Sequence, residues 1–221
     1  MRKILNKMIH LNLIIIRLLK RNKMDDLNPL YENTFKILIL GDSYVGKSNF
    51  IFRYIKKEFN GKHLSSIGAE FKSTEVVLGS NKFRLQIWDT DGRKKYESIT
   101  RSFFQKVQGF IVMFDITNKE SYNGAKSWIK SIKDEFGKNP PILLIGNKRD
   151  LEDSRVIFLE DIKKYANEEN LNYIETSSKT GDNINKSISI ICNLILEKND
   201  SSNSFSLNIL DHSKKRKKVC C

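Results

Sequence analysis

The eight residues GDSYVGKS, 41–48, constrain the fold of this chain more than any other stretch. They follow FKILIL (35–40), a run of strand length that is apolar apart from Lys36, and precede a stretch of helical spacing over 47–57. A strand, a glycine-containing turn and a helix, with G-x-x-x-x-G-K-S across the turn, make a phosphate-binding loop. Backbone N–H groups of such a turn point into one concave site, and the helix N-terminus adds its positive end. Gly41, Asp42, Ser43, Tyr44, Val45 and Gly46 are therefore expected to wrap phosphates. Lys47 is expected to neutralise the outer ones, and the Ser48 hydroxyl to reach a magnesium ion.

The rest of the chain repeats that alternation of strand and helix. EFKSTEVVL and FRLQIWD flank Gly79, Ser80 and Asn81 and read as a hairpin. GFIVMFD (109–115), PILLIGN (141–147) and LNYIETS (171–177) read as buried strands, separated by helical stretches near 120–136 and 159–169 and closed by a helix near 183–198. That order predicts an α/β domain whose mostly parallel sheet carries helices on both faces, with ligands outside the C-terminal strand ends. The loops after the strands are thus the informative ones. NKRD (147–150) follows one of them, and its Asp150 can accept two hydrogen bonds from N1–H and the exocyclic amine of guanine, a pair adenine does not offer. TSSK (176–179) follows the next, where a backbone N–H of Ser177, Ser178 or Lys179 could meet guanine O6. Both Asn147 and Asp150 are expected at the pocket rim.

With those loops in place, residues 35 to about 198 resemble a small GTPase of the Rab family. The match runs in order through GDSYVGKS, IGAEF (67–71), RLQIWDT (84–90), DITNKES (115–121), NKRD and TSSK, and the Cys220–Cys221 pair belongs to the same pattern. The resemblance implies a P-loop NTPase fold of small-GTPase type with a six-stranded sheet, the cofactors GTP or GDP with Mg, and GTPase activity. It further implies that Phe59 packs edge-on against guanine and Lys148 covers its face. Ser48 and Ser66 would ligate magnesium, and Asp89 would act through water. An effector surface would contain Phe71, Trp88 and Phe103, although each of these aromatics also suits a plain core position. The implied partners are an exchange factor, a GTPase-activating protein, a GDP-dissociation inhibitor, an escort protein and effectors.

DTDGRKK (89–95) departs from the family pattern while keeping its D-x-x-G frame in Asp89 and Gly92. Asp91 stands where the family usually has Ala, and Arg93 where it usually has the Gln that orients the attacking water. An arginine has five donors and no acceptor, so of the candidate catalytic residues Lys47, Gly92 and Arg93, the last predicts slow intrinsic hydrolysis. Asp91 either weakens GTP binding or is offset by Arg93, Lys94 and Lys95, and pairing within the loop is the alternative to a functional role. Tyr44 is bulky for a phosphate loop. Ser66 in place of Thr keeps the hydroxyl and loses a methyl.

The net charge of +13 is concentrated at the ends. Residues 1–24 hold seven Lys or Arg and no acid, and residues 199–221 hold five against Asp200 and Asp211, leaving +3 for residues 25–198. A nucleic-acid binder would carry its charge on the folded body, so an anionic membrane surface is the better partner and no nucleic acid is expected. Residues 1–33 read as a basic apolar extension, disordered or peripheral. Its run over 4–21 is too short and too polar to span a bilayer and lacks a signal cleavage site, and it could lie on a membrane, target an organelle or precede a start at Met24. Residues 34–198 form the GTPase domain, and residues 199–221 a flexible tail ending KKRKKVCC. Three cysteines make no disulfide framework. Geranylgeranyl chains on Cys220 and Cys221 follow from the resemblance, because the end does not fit C-a-a-X. The function expected is a switch in vesicle trafficking, lipid-anchored on the cytoplasmic face of an intracellular membrane and cycling with the cytosol. The rivals are a non-hydrolysing GTP-binding scaffold and an RNA-associated GTPase.

Overall fold

Successive side chains of β1 (Thr34–Leu40) serve two different cores. Phe35, Ile37 and Ile39 face one, Leu38 and Leu40 the other, and all five are at most 1 % exposed. A strand alternates its side chains across the sheet, so an unbroken apolar run is the signature of a strand covered on both sides. The computed structural model describes residues 34–61, 69–93, 104–137 and 139–215, with side chains to residue 200.

The sheet has six strands in the order β2-β3-β1-β4-β5-β6. Here β2 is Ala69–Leu78, β3 Asn81–Thr90, β4 Gly109–Asp115, β5 Ile142–Asn147 and β6 Asn172–Glu175. Only β2 and β3 pair antiparallel, joined at Gly79 and Ser80, and the other pairs are parallel. The register sets Ile39 beside Asp89 and Asp115 beside Asn147, so the functional loops leave the same edge of the sheet.

On one face, α1 (Lys47–Lys56) and α4 (Ile184–Lys215) bring Phe50, Ile51, Ile184, Ile188, Ile191, Cys192 and Ile195 onto β1, β3 and β4. Burial pushes the Cys192 thiol up to about 12, so it behaves as a small apolar residue, as its place in the helical pattern predicts. On the other face, α2 (Lys119–Phe136) buries Tyr122, Ala125, Ile129 and Ile132, a stripe of helical period. Asn118 starts that helix by accepting from Ser121 N–H, and Gly137 at φ 84° ends it. Next, α3 (Leu159–Glu168) buries Ile162 and Ala166.

Two boundaries differ from the sequence expectation. Strand β6 ends at Glu175: Thr176 N–H still donates to the Gly146 carbonyl at 2.9 Å, but Ser177 N–H turns away to the Asp182 carbonyl at 3.2 Å. Helix α4 runs to Lys215, past the limit near 198 and into the segment read as a flexible tail, since residues 184–215 contain no Gly or Pro to stop it.

Candidate nucleotide site

The phosphate loop closes around its own lysine. Gly46 ends the turn at φ 100°, in the left-handed region, and Lys47 begins α1. The Lys47 ammonium is buried and donates to the carbonyls of Gly41 at 2.8 Å and Asp42 at 2.9 Å. Burial holds its pKa below the ordinary lysine range, opposed by the attraction of Asp89, Asp42 and Asp91. Beside it the Ser48 hydroxyl donates to Asp89 Oδ2 at 2.6 Å. These elements place a cation, a hydroxyl and a carboxylate within one turn of helix and one strand end. Thr90 fixes that strand end by donating its hydroxyl to the Ile39 carbonyl at 2.7 Å.

Gly92 rests directly on the phosphate loop. A Cβ there would lie 2.5 Å from Lys47 Nζ, Ser43 N and Asp42 C, so no other residue fits this approach. The preceding Asp91 is 5 % exposed, and Arg93 clamps it. Arg93 Nε donates to both Asp91 carboxylate oxygens, at 2.9 and 3.0 Å, its terminal nitrogen pairs with Oδ2, and its backbone N–H donates to Oδ1 at 3.0 Å. Pairing within the loop, the alternative left open by the sequence, is thus present. Tyr44, at φ 67°, stands 75 % exposed at the outer side of the loop.

Asn147 occupies a different place from the rim expected of it. It is 1 % exposed and lies beneath the loops, donating Nδ2 to the Val45 carbonyl at 2.8 Å. Its Oδ1 accepts from Thr176 Oγ1 at 3.1 Å and from Ser178 N–H at 3.2 Å. One amide therefore ties the phosphate loop to the TSSK loop. Above it, Asp150 Oδ1 accepts from the Ser177 hydroxyl at 2.5 Å, with Lys179 Nζ 4.0 Å from Oδ2. Lys148 adopts φ 67° and turns its ammonium to Asp115 Oδ2 at 2.6 Å.

The sequence reading missed Asp115 and Thr176. The signal for both was present, a polar residue ending an apolar strand, but nothing in the spacing shows that these side chains face Lys148 and Asn147. Trp88 is core, 2 % exposed, and stacks on half-buried Phe71 with ring centroids 5.3 Å apart. Phe59 is 41 % exposed in the loop after α1. Ser66, Phe103, Cys220 and Cys221 lie outside the described residues.

The Ras family model matches residues 36–197 of this chain. Ras-related protein Rab-3 of Caenorhabditis elegans is 37 % identical over 174 residues, covering 77 % of this chain and 80 % of the relative. Human Ras-related protein Rab-3A is 37 % identical, covering 78 % of each chain. Dog Ras-related protein Rab-27A is 36 % identical, covering 76 % of this chain and 81 % of its own. The chain belongs to the Ras family. It is a Rab-like small GTPase, and the six-stranded sheet has the strand order and helix layers of that fold.

Ras-family GTPases bind guanine nucleotide and magnesium, and the donors of this Rab-like site fit both. Magnesium keeps several waters and takes phosphate oxygens, so it needs only one or two protein groups. The Ser48 hydroxyl and Asp89 carboxylate, both hard oxygens beside Lys47, supply that number. No helix of the described residues is long and apolar enough to cross a membrane.

Proposed function

We propose that this chain binds GTP and GDP with Mg as a switch in vesicle trafficking, hydrolyses GTP slowly by itself, and works at the cytoplasmic face of an intracellular membrane. The observation that carries this reading is the Asn147 amide, which joins the phosphate loop at Val45 to the base-reading loop at Thr176 and Ser178. A single ligand spanning both loops is what such a tie prepares for. Gly41, Asp42, Ser43, Tyr44, Val45, Gly46 and Lys47 enclose the phosphates. Asp150 reads the guanine edge, Lys148 covers its face, Phe59 meets its edge, and Ser177, Ser178 and Lys179 close the pocket. Ser48, Ser66 and Asp89 hold the magnesium, which when bound offsets charge on the phosphates.

Its partners in this reading are an exchange factor, an activating protein, a dissociation inhibitor, an escort protein and effectors that meet Phe71 and Phe103. Two lipid chains on Cys220 and Cys221, with the basic run before them, supply the anchor. A second reading, a GTP-binding module that does not hydrolyse, is favoured by one observation. Arg93 is engaged with Asp91 and carries no acceptor for a water proton.

Base specificity is the direct test. An amide at position 150 offers one acceptor and one donor where the carboxylate offers two acceptors. Asp150→Asn is expected to shift preference from guanine toward xanthine by about a hundredfold or more, the scale of a mispaired buried polar group. Titrating GTP, ATP and XTP against the native and variant chains checks it, and equal GTP and ATP affinities in the native chain would sink the reading.

A further inference from the structure

The segment Asp91-Gly92-Arg93 lies against the phosphate loop just beyond the end of β3. Gly92 lies against Lys47 Nζ and Ser43 N, two donors of the phosphate loop. Asp91 is buried beside it and adds its negative charge to the surroundings of Lys47. Arg93 neutralises Asp91 through both carboxylate oxygens while its own side chain stays 43 % exposed. A buried carboxylate has thus been set in the surroundings of the phosphate-loop lysine, together with the guanidinium that pairs with it.

We propose that the Asp91–Arg93 pair is a specificity determinant for the phosphorylation state of the nucleotide, favouring GDP over GTP by charge. The inference rests on the guanine-nucleotide reading above. The two inner phosphates are common to both ligands, so their repulsion from Asp91 largely cancels in the comparison. Only the terminal phosphoryl group of GTP adds negative charge on the side of Lys47 where Gly92 and Asp91 stand. That charge must share Lys47 with a carboxylate in a medium where water screens little, and like charges there repel strongly. Gly92 must also withdraw from Ser43 N and Lys47 to admit it. Arg93 offsets part of the Asp91 charge and so reduces the repulsion without removing it. Asp91 is therefore the discriminating group and Arg93 the group that limits the discrimination.

The two residues make opposite predictions, which separates charge from packing. Affinities for GDP and for a non-hydrolysable GTP analogue, both with saturating Mg, are measured on the full chain by titration calorimetry or fluorescent-nucleotide displacement. The native chain is expected to prefer GDP by about tenfold or more, which at constant temperature is about 1.4 kcal/mol. Asp91→Ala and Asp91→Asn are both expected to reduce that ratio about tenfold with little change in GDP affinity, because each removes the charge and the second retains the shape. Arg93→Gln is expected to increase the ratio, and the double variant Asp91→Ala/Arg93→Gln to fall between the native chain and Asp91→Ala, because it removes the carboxylate without leaving the guanidinium behind. The melting temperature of each GDP-bound variant reports folding separately. An unchanged ratio in Asp91→Ala, or a shift in Asp91→Ala that Asp91→Asn does not share, overturns the charge filter. So does a fall in the ratio on Arg93→Gln. A native chain that binds neither guanine nucleotide overturns the underlying reading as well, whereas an unchanged ratio in a chain that binds both overturns the filter alone.

Discussion

Arg93 is where the chemistry of one side chain bears most on catalysis. An amide at this position can accept a hydrogen bond from the attacking water through its oxygen, and a guanidinium cannot. The structure adds that Arg93 is turned back onto buried Asp91, so replacing it alone leaves a carboxylate without its counter-ion. Breaking a buried pair by removing one partner costs several kcal/mol, less here because the arginine is partly exposed. The gain on Arg93→Gln alone is therefore blunted, and Asp91→Ala/Arg93→Gln is the variant that reveals the amide. Its intrinsic hydrolysis is expected to exceed that of the native chain by about tenfold, equivalent to about 1.4 kcal/mol of transition-state stabilisation and in scale with one positioned hydrogen bond. Single-turnover assays at saturating GTP and Mg measure it. A slower double variant would show that Arg93 itself stabilises charge on the phosphate. Opposite charges two positions apart were plain in DTDGRKK, but the sequence held no sign that one of them is buried against the phosphate loop.

Between elements, the site depends on loops that leave β1, β3, β5 and β6 and are joined by side chains. The strands were legible because both faces of the sheet are covered, which leaves the apolar runs ILIL (37–40), FIVMF (110–114) and ILLI (142–145) within them. Their C-terminal ends were legible for the same reason, since each run stops at a Gly, Asp or Asn. What joins the loops was not, because Asn147 reaches Val45 across 102 positions of sequence. Asn147 was instead read as a rim residue, and β6 was drawn two residues too long on the assumption that Thr176 and Ser177 continue the strand. The causes differ: the Asn147 side chain finds partners far away in sequence, which leaves no periodic mark, and Ser177 N–H leaves the ladder for the Asp182 carbonyl in a local turn. The tie is expected to be costly to remove. Asn147→Ala would strand the buried Val45 carbonyl and the Ser178 N–H, each worth about 1–3 kcal/mol when left without a partner. Denaturant unfolding should report a loss of about 3 kcal/mol. GDP affinity should fall with it, because both the phosphate loop and the TSSK loop lose their shared anchor. A variant that unfolds at the native denaturant concentration would show that water replaces the amide without cost.

For the whole molecule, the distribution of charge decides between partners. Residues 25–198 hold only +3 of the +13, and in the function proposed the cations at the ends of the chain meet the membrane. Two sources of attachment are written there and they differ in kind. The five cations Lys214, Lys215, Arg216, Lys217 and Lys218 are each worth about 1 kcal/mol at an anionic leaflet, and salt within a Debye length screens them. A lipid chain contributes about 0.8 kcal/mol for every buried methylene, independent of the charge of the surface, and two chains hold stably where one holds marginally. In the function proposed, lipid on Cys220 and Cys221 sets how firmly the protein is held, and the basic run sets which leaflet it prefers. Deleting both cysteines is expected to move the protein to the soluble fraction, since the cations alone leave binding weak at physiological salt. Replacing residues 214–218 with neutral side chains while keeping the cysteines is expected to leave it membrane-bound but redistributed toward less anionic membranes. Fractionation at two salt concentrations, with imaging of each variant, separates the outcomes. A cysteine-deleted protein that stays in the membrane fraction at high salt would place the anchor in residues 1–24, whose seven cations and apolar positions between them are the other source of affinity in the sequence.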